Sequence, residues 1–471
     1  MKADVSISSD AEAAYPLPDD CYDPSEKYPE YGGHVSDSKN DVYRMVRECL
    51  HGLGYDEGNY GTEKWNPLSE VIAKGDTVLV KPNWVLDHNN EKTYHDMECM
   101  VTNPSLIRAV LDYVVKALDG TGRIIVGDAP IQRCDLDALL ESMNYNLIWK
   151  HYEDLGVKIE VMDFRGLVAN VFNQTSSSND KGILVSLTED SAFYGCDESK
   201  IERMRVTNYP TKMMEEHHTV QHHEYYIHPA VLEADVIINL PKPKSHRMAG
   251  MTACCKNFVG ANSRKECLPH HTIGAPETGG DEYWGKNNLH DMATMFTDKY
   301  NNLSYDHSYL ALGYLAISMF FSKSGRLLTN EKFNNGCWHG NDTIWRTILD
   351  LNHIVRHSDK EGKICQDEQR RILNICDMIV SGEKEGPLTP SPKKVGAIVA
   401  GRDCYRTDYI IAKMFGFDPM KVKYLKNSSL SFDGISVYLD GKVVPQESVE
   451  YDDSWIIDPT IGWKDHIERQ T

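Results

Sequence analysis

The feature of the sequence that most constrains its fold is a series of short apolar runs, each ending abruptly in polar or charged residues. The runs "VLV", "IIV", "VIINL" and "AIVA" are of the length and composition expected for buried strands. In a doubly wound sheet the carboxyl ends of such strands converge on one crevice. The candidate anion- or substrate-binding residues that follow the runs are Lys81 and Asn83, Asp128, Lys242 and Lys244, and Arg402 and Asp403.

The segments between the runs predict an α/β fold. Strand 76–82 is followed by an apolar helical stripe that begins at the cap Asn103 and Pro104, and then by strand 123–130. A strand, helix and strand in this order imply a parallel pair with a right-handed crossover. Further strands are predicted at 181–187, 234–240, 377–382 and 394–401, and helices at 246–260, 308–322, 341–356 and 405–416. We expect a mainly parallel sheet with helices on both faces and two lobes around a crevice.

The length predicts more than one lobe, because 471 residues exceed an ordinary single core. Residues 1–64 are predicted to be an N-terminal arm and a helix capped by Asn40, the arm lying on the surface or partly disordered. Residues 65–330 form an α/β lobe with the lysine and histidine residues, and residues 331–471 form a second lobe that completes the crevice.

Composition excludes several classes of function. The net charge of −20 argues against nucleic acid and anionic membrane surfaces as partners. No signal peptide is evident, and the longest apolar run, 309–321, is too short to span a bilayer and predicts a buried helix. We therefore expect a cytoplasmic protein without membrane insertion. The twelve cysteines include no C-x-x-C pair, which predicts reduced thiols and no iron–sulfur cluster.

The stretch "PKPKSHRMAGMTACCKNFVG" suggests a reactive centre. If helix 246–260 forms, its first amides make an anion pocket beside Lys242 and Lys244. Lys256 lies among apolar neighbours, which lower the pKa of a lysine and let it act as a nucleophile or attachment point. The alternative is a solvated lysine at the end of a helix.

Histidines cluster in the middle of the chain, where nine of nineteen lie between residues 217 and 290. His218 and His222 have the spacing of two metal ligands on one helix face. In "LPHHTIGAPETGGDEY", His270 and His271 precede Asp281 and Glu282 in a Gly-rich loop, which suits a lid with acid–base or metal groups. Local hydrogen bonding is the alternative for all of them. The candidate ligands of a divalent metal (nickel, zinc, iron or manganese) are His246, His270 and His271, followed by His218 and His222.

The segment "GCWHGNDTIWRTILDLN" has two interpretations. Asn341 and Asp342 cap a predicted helix, which is the structural interpretation. Their side chains can instead supply hydrogen bonds to a sugar-like substrate.

Six blocks of the sequence resemble a known family. Between about residues 76 and 420 they are "VLVKPNW", "IIVGDAP", "ADVIINLPKPKSHRMAGMTACCKNFVGAN", "LPHHTIGAPETGGDEYW", "GNDTIWRTILDLN" and "VAGRDCYRTDYIIAKMFGFDP". In this order they resemble the bacterial domain-of-unknown-function 362 family. The resemblance implies a role near surface-polysaccharide biosynthesis. Many relatives carry a cysteine-rich ferredoxin segment, which this sequence lacks.

A narrower resemblance concerns His246, Ala249-Gly250, Thr252 and Lys256, whose spacing is similar to a motif of lactate-racemase-like enzymes. It implies that Lys256 tethers a nickel-pincer nucleotide, that His246 is an acid–base group, and that His270 or His271 is near the position of a nickel-binding histidine. The sequence departs from that motif at Ala253-Cys254, where the family has two glycines.

These observations lead to three functional hypotheses. The first is an isomerase, epimerase or oxidoreductase that acts at a carbinol carbon of a small anionic sugar or hydroxy acid, which can be nucleotide-linked. In it His246, Lys256, His270 and His271 are catalytic, with or without a metal. The second is a non-catalytic protein that binds a metal or a phosphosugar. The third is an assembly partner of polysaccharide enzymes, and a homo-oligomer is compatible with all three.

Overall fold

The computed structural model describes residues 2–89, 96–169, 175–177, 182–305, 309–329, 334–449 and 452–469. Within these ranges the helices are α1 Asp41–Gly52, α2 Pro104–Leu118, α3 Leu136–Ser142, α4 Tyr145–Asp154, α5 Glu198–Ile201, α6 Lys212–His217, α7 Pro229–Glu233, α8 Cys254–Asn257, α9 Asn288–Tyr305, α10 Leu310–Thr329, α11 Ile344–His357, α12 Cys404–Met414 and α13 Lys423–Lys426.

The strands of the same ranges are β1 Val5–Ser9, β2 Thr77–Lys81, β3 Arg123–Asp128, β4 Ile159–Asp163, β5 Leu167–Ala169, β6 Thr175–Ser177, β7 Ile183–Leu187, β8 Met204–Arg205, β9 His223–Ile227, β10 Val236–Asn239, β11 Lys244–His246, β12 Gly250–Thr252, β13 His271–Thr272, β14 Arg371–Glu385, β15 Thr389–Gly401, β16 Ser436–Leu439 and β17 Lys442–Pro445.

One large sheet organises the molecule, in the strand order β17-β16-β1-β15-β14-β10-β2-β3-β4. The five strands from β14 to β4 run parallel to one another, and β15 is antiparallel to its neighbours β14 and β1. Strand β11 pairs with the later part of β14, where Lys244 lies opposite Gly382, and its other partner is β12. The predicted α/β fold with a mainly parallel sheet is confirmed.

Helices cover both faces of this sheet. Successive residues of its middle strands are buried alternately on one face and on the other. Leu79, Ile125 and Ile237 point into a core with α8, α11 and α12. The neighbouring residues Val80 and Val126 point into a second core with α1, α2 and α4 on the opposite face. Each strand in the middle of the sheet is therefore apolar on both sides, as expected for parallel strands between two helix layers.

The structure corrects the prediction for the first residues of the chain. Residues 5–9 are a buried strand, β1, between β15 and β16, and not an arm on the surface. Val5 and Ile7 are buried in the core. The segment "VSISS" is too short and polar to be recognised alone, and its partners lie near the other end of the chain. The large sheet thus contains strands from all three predicted segments, and the division into domains stays a prediction.

The predicted helix 246–260 is wrong. His246 ends β11, the chain turns at Gly250 with φ +81°, and β12 returns antiparallel to β11. Only Cys254–Asn257 is α-helical, followed by a 3-10 turn at Phe258–Ala261. The hairpin forms because β11 gains a partner in β14, where Lys244 lies opposite Gly382. No local pattern in the sequence predicts this pairing, because β11 and β14 lie far apart along the chain.

The predicted burial of 309–321 is also wrong. Residues 310–321 of this run lie in α10. The predicted helix 308–322 begins at residue 308, which lies outside the described residues. Leu310 is 75% exposed and Phe320 is 65% exposed, because α10 packs on α9 along one side only. In the described ranges no helix is long and apolar enough to cross a membrane.

A buried polar cluster joins the N-terminal segment to the middle of the sheet. Lys242 Nζ lies 2.9 Å from Asp377 Oδ2, and both side chains are fully buried. Tyr15 donates its hydroxyl to Asp377 Oδ1 and accepts from Lys242 Nζ, at 2.5 Å each. The backbone N–H of Asn103 donates to the second carboxylate oxygen at 2.8 Å.

We predict that Lys242→Met destabilises the protein by about 3–5 kcal/mol, because it leaves the Asp377 carboxylate buried without its cation. Adding Asp377→Asn should recover part of this loss. Urea unfolding measures both free energies. The control Lys74→Met breaks an exposed pair with Asp119 and should leave the free energy of unfolding nearly unchanged, because water and salt screen exposed pairs. Equal losses in the buried and exposed variants would contradict this assignment.

Candidate active site

The carboxyl ends of β2, β3 and β10 lie side by side, as the sequence predicted. Lys81 is paired in register with Asn239, and Lys81 Nζ contacts Asp128 Oδ1 at 2.7 Å. Both side chains are buried, and the other carboxylate oxygen of Asp128 accepts the backbone N–H of Trp84 at 2.7 Å. Burial lowers the pKa of Lys81, an effect that the charge of Asp128 opposes. The ion pair therefore fixes the loop after β2 against the end of β3.

The segment after Lys256 lies directly on this ion pair. A Cβ atom at Gly260 would come within 1.8 Å of Asp128 Oδ1 and 2.8 Å of Lys81 Nζ. The backbone N–H of Ala129 also donates to Gly260 O at 3.1 Å. Only glycine permits so close an approach, which places the region 254–261 over the strand ends.

Two of the predicted anion-binding lysines, like Lys81, are held by the protein itself. Lys244 Nζ donates to Asn83 Oδ1 at 2.7 Å, to Met100 O at 2.8 Å and to Lys242 O at 3.1 Å. Burial, with the charge of Lys242, lowers the pKa of Lys244 well below its usual value. Lys242 is paired with Asp377 as described above. Their role in binding an anion stays a prediction.

His246 presents an N–H group from the end of β11. Its Nδ1 accepts the backbone N–H groups of Met248 at 3.1 Å and Ala249 at 3.2 Å. Burial, and then the nearby charges of Lys256 and His270, hold its pKa well below the usual range. The imidazole is therefore neutral, and because Nδ1 is an acceptor, the proton lies on Nε2.

His270 has the opposite tautomer. Its Nδ1 lies 2.7 Å from Leu268 O, a carbonyl that only accepts, so Nδ1 carries the proton and Nε2 has the free lone pair. Burial, and then the charge of Lys256, lower its pKa to about 3. No described residue hydrogen-bonds to Nε2 of either imidazole. One histidine thus offers a donor and the other an acceptor.

Lys256 is the amine of this group. Burial lowers its pKa to about 7, with a further contribution from Lys265. Burial also lowers the pKa of Lys265 to about 8. Lys265 Nζ donates one long hydrogen bond, of 3.4 Å, to Val259 O. Within the described ranges, Lys256 Nζ has no hydrogen bond, and neither lysine forms an ion pair with a carboxylate.

Lys265 was missed by sequence reasoning. It stands in "NSRKEC", a hydrophilic segment between two recognisable motifs, where a lysine is ordinarily solvated. The only available signal was its place between Lys256 and His270.

The predicted lid residues have mixed surroundings. Asp281 accepts the backbone N–H groups of Thr272 at 2.6 Å and Asp342 at 2.7 Å, and so ties two loops together. Glu282 is buried, which raises its pKa to about 7, and it accepts the hydroxyl of Thr294 at 2.6 Å. His271, on β13, has its pKa lowered to about 3 by burial. Its Nδ1 has no partner in the described structure.

Asn341 and Asp342 are engaged at the start of α11. Asn341 Oδ1 accepts the backbone N–H groups of Thr343 and Ile344, both at 3.0 Å. Burial acts to raise the pKa of Asp342, but the bond from Lys200 outweighs it, and the pKa falls to about 2. Asn341 thus accepts amides at the start of α11, whereas Asp342 bonds the side chains of Lys200 and Trp345, and a role of either residue in substrate binding stays a prediction.

Arg402 and Asp403 are not brought to the lysine and histidine residues. Arg402 lies over the ring of Tyr55, 4.7 Å from its centroid, on the side of α1. Asp403 caps α12 and pairs with Arg356 at 3.1 Å. It lines a separate cavity of about 450 Å³. These two residues follow a strand that is antiparallel to its neighbours, so the chain after Gly401 runs back towards the amino ends of the parallel strands.

The histidine-rich segment does not form the predicted helix face. Helix α6 ends at His217, and His218 instead forms a bridge with His223. His218 Nδ1 lies 3.1 Å from His223 Nδ1, and His218 Nε2 lies 2.8 Å from Cys267 O. His222 bonds locally to Thr219. The i, i+4 spacing fell on a turn and not on a helix.

The donor set does not fit a metal held by protein side chains alone. In the described part of the chain, no group of three His, Cys, Asp or Glu residues is arranged to hold one. His246 and His270 each have one nitrogen engaged with the backbone. A tethered group requires an amine that is not engaged elsewhere. Lys256 meets this requirement, since its amine has no hydrogen bond to any of the described residues. All twelve cysteines are free thiols.

Comparison with known families assigns the chain. The Domain of unknown function (DUF362) matches residues 78–413. The chain belongs to the DUF362 family. The matched region begins in β2 and ends in α12, and so includes His246, Lys256 and His270. None of the curated proteins matches this DUF362 protein.

Among solved structures, the DUF362 protein is similar to the lactate racemase apoprotein from Thermoanaerobacterium thermosaccharolyticum, at 11% sequence identity and a TM-score of 0.30. The alignment covers 78% of this chain and 55% of that chain. The chain thus spans about half the length of that structure. A likeness at this level transfers neither activity nor site residues.

The pKa of Lys256 predicts a pH-dependent stability. Unfolded Lys256 binds its proton up to the ordinary pKa of 10.5, whereas folded Lys256 loses it near 7. Between these values the unfolded state binds more protons, so this residue makes stability rise with pH by up to ~1.4 kcal/mol per unit. Lys256→Met removes this effect. Its advantage over wild type should be largest below pH 7 and vanish near pH 10.5.

Denaturant unfolding from pH 6 to 10 measures this difference. The control Lys158→Met removes a lysine side chain that is 84% exposed, and its unfolding free energy should follow the wild-type curve. A difference between Lys256→Met and wild type that does not change with pH would show that folded Lys256 keeps an ordinary pKa.

Proposed function

We propose that this DUF362 protein is an enzyme of the isomerase or epimerase type, which transfers protons at a carbinol carbon next to a carbonyl group in a small anionic substrate. A sugar acid, a sugar phosphate and a hydroxy acid all belong to this class. The observation that carries the proposal is the pair of opposite imidazole tautomers, His246 and His270, which both lie close enough to Lys256 for its charge to lower their pKa values.

The histidine pair supports proton removal and proton return. His270 Nε2 can accept a proton, and His246 Nε2–H can donate one, so an acid and a base are present together while both rings are neutral. With a pKa of about 3, His270 is a weak base in the free protein. The charge of Lys265 also contributes to that low pKa, so an anion bound at Lys265 raises the basicity of His270. Substrate binding thereby activates the base.

Lys256 supports a covalent step. A lysine with a pKa of about 7 is substantially unprotonated at neutral pH, and only the unprotonated amine attacks a carbonyl carbon. When the substrate is an aldehyde or a ketone, attack and loss of water give an imine, whose cationic form draws electrons from the adjacent C–H bond; a hydroxy acid, whose carboxylate forms no imine, would use the two histidines without this step. Proton transfer at that carbon by the two histidines then inverts it, and hydrolysis releases Lys256.

The anionic character of the substrate is supported by the two unpaired lysines. Lys256 and Lys265 are both half-buried and close enough for the charge of Lys265 to lower the pKa of Lys256, and in the described structure no carboxylate pairs with either amine. A bound anion would favour the protonated form of both lysines, because its negative charge compensates for the water lost on burial. A local cluster of cations is required for this, because the whole chain carries −20 and repels anions at a distance.

Two further forms of the proposal depend on groups beyond these residues. Metal-assisted or redox chemistry, including a nickel-pincer nucleotide attached to Lys256, stays a prediction, and no step is assigned to it. The role in surface-polysaccharide biosynthesis also stays a prediction. A protein that only binds a phosphosugar would use the same lysines and leave the histidines idle.

Reductive trapping tests the amine and the anion preference together. The protein is incubated at pH 7.5 with sodium cyanoborohydride and either glyceraldehyde 3-phosphate or uncharged glyceraldehyde, and modified peptides are located by mass spectrometry. We expect Lys256 to be modified more than ~10-fold faster than the exposed Lys158, because a larger fraction of its amine is unprotonated. The phosphate probe should react faster than its uncharged match. Intact mass before the reaction reports any group already attached to Lys256.

Variants separate the proposed roles. Lys265→Met should remove the preference for the phosphate and keep the reaction with glyceraldehyde. His246→Gln and His270→Gln should keep the trapping of Lys256 and abolish deuterium exchange at the carbon next to the carbonyl in D₂O. Trapping without any exchange in the wild-type protein would favour a binding protein. Equal modification of Lys158 and Lys256 would refute the proposal.

A further inference from the structure

Helix α10 packs on α9 through three small residues and through Tyr314 and Phe321, whose rings both stack on Phe296 of α9. Ala311, Ser318 and Gly325 are buried, and their spacing of seven residues places them on one side of the helix. Ser318 Oγ lies 2.7 Å from Thr297 Oγ1 and donates to Ala293 O at 2.9 Å. Among the elements of the described structure, extensive packing of α10 is confined to α9. The two helices therefore form a hairpin that stands apart from the sheet.

Most of the large apolar side chains of α10 point away from α9. Seven of them are at least 40% exposed: Leu310, Leu312, Ile317, Met319, Phe320, Leu327 and Leu328. A surface helix ordinarily buries most of its large apolar residues, whereas α10 leaves most of them exposed. Contiguous exposed apolar surface of this kind marks an interaction site.

The outer face of α10 has a regular stripe. Its members are spaced four, three, four, three and four residues apart, and all are exposed: Tyr309, Gly313, Ala316, Phe320, Lys323 and Leu327. Alternation of four and three is the spacing of a seam along which two helices pack. At 100° per residue, this stripe lies opposite the buried stripe of Ala311, Ser318 and Gly325.

The stripe is complementary to itself when two copies run antiparallel. A two-fold axis level with residue 318 places Ala316 opposite Phe320, Gly313 opposite Lys323, and Tyr309 opposite Leu327 of the other copy. In the first two pairs a small residue faces a large one. The space over Gly313 is open, since nothing lies within 4 Å of a Cβ atom built there. Large side chains thus meet holes along the seam.

We propose that a second copy of this chain covers α10, with the two α10 helices packed antiparallel and the two hairpins forming a four-helix arrangement. From a full area of ~150–250 Å² for an aromatic side chain, the exposed fractions amount to several hundred Å² per copy. A stable interface buries ~800 Å² per partner, which is of the same order. A two-fold contact of one surface with itself is the commonest form of assembly.

The charge of the helix favours a second copy over a lipid surface. Lys323 and Arg326 are the only charged residues of α10, in a chain of −20. Binding to an anionic bilayer ordinarily uses several basic residues along the polar margin of the helix. The pairing of small with large residues has no purpose against fluid lipid.

An exchange of two residues tests the interface. Phe320→Ala leaves a hole opposite Ala316, and Ala316→Phe sets two phenylalanines against each other, so each should weaken dimerisation at least ~10-fold by sedimentation equilibrium. The double variant Ala316→Phe, Phe320→Ala restores the match of large with small and should restore the dimer. Phe320→Glu should give a monomer, whereas Leu17→Glu, at a position 65% exposed elsewhere, should not.

Three results would overturn the proposal. One is a wild-type chain that stays monomeric at micromolar concentration. Another is a dimer that neither single exchange weakens or that the double variant fails to restore. The third is a monomer that co-sediments with phosphatidylcholine–phosphatidylserine vesicles through α10 and loses this binding in Phe320→Glu, which would assign the surface to lipid.

Discussion

The buried ion pair between Lys81 and Asp128 is the contact on which the proposed site depends. It joins the ends of two parallel strands, and the chain at Gly260 lies directly on it because no side chain intervenes. The segment that carries Lys256 is thereby fixed over the sheet. This ion pair supports the site from the sheet, while Lys256 and Lys265 have no carboxylate partner in the described structure and are the less restrained cations.

Sequence periodicity recovered the parts of the fold that are local. Strand β2, helix α2 with its cap Asn103, and strand β3 were all predicted within about two residues, since each has its own apolar pattern and end signals. Strand β1 and the β11–β12 hairpin were not predicted. Each depends on pairing with a strand far along the chain, β1 with β15 and β11 with β14. The exposed face of α10 was missed for a related reason, since apolar composition predicts burial but does not say by what.

The site was predicted in part. Lys256 is half-buried, and its charge acts on His246 and His270, so the structure brings these three predicted residues together, whereas their catalytic roles stay predictions. The opposite tautomers of the two imidazoles were beyond any sequence pattern. They are set by the amides of residues 248 and 249 and by the carbonyl of Leu268, whose positions follow from the hairpin and the loop that the sequence did not reveal.

The central claim is that His246 and His270 stand as neutral rings with opposite tautomers. Long-range ¹H–¹⁵N NMR of protein labelled at histidine observes this directly, with His246→Gln and His270→Gln used for assignment. The account predicts a proton on Nε2 of His246 and on Nδ1 of His270 at pH 7, and His270, with a pKa of about 3, should still be neutral at pH 5. Two rings of the same tautomer, or an imidazolium at pH 7, would contradict it.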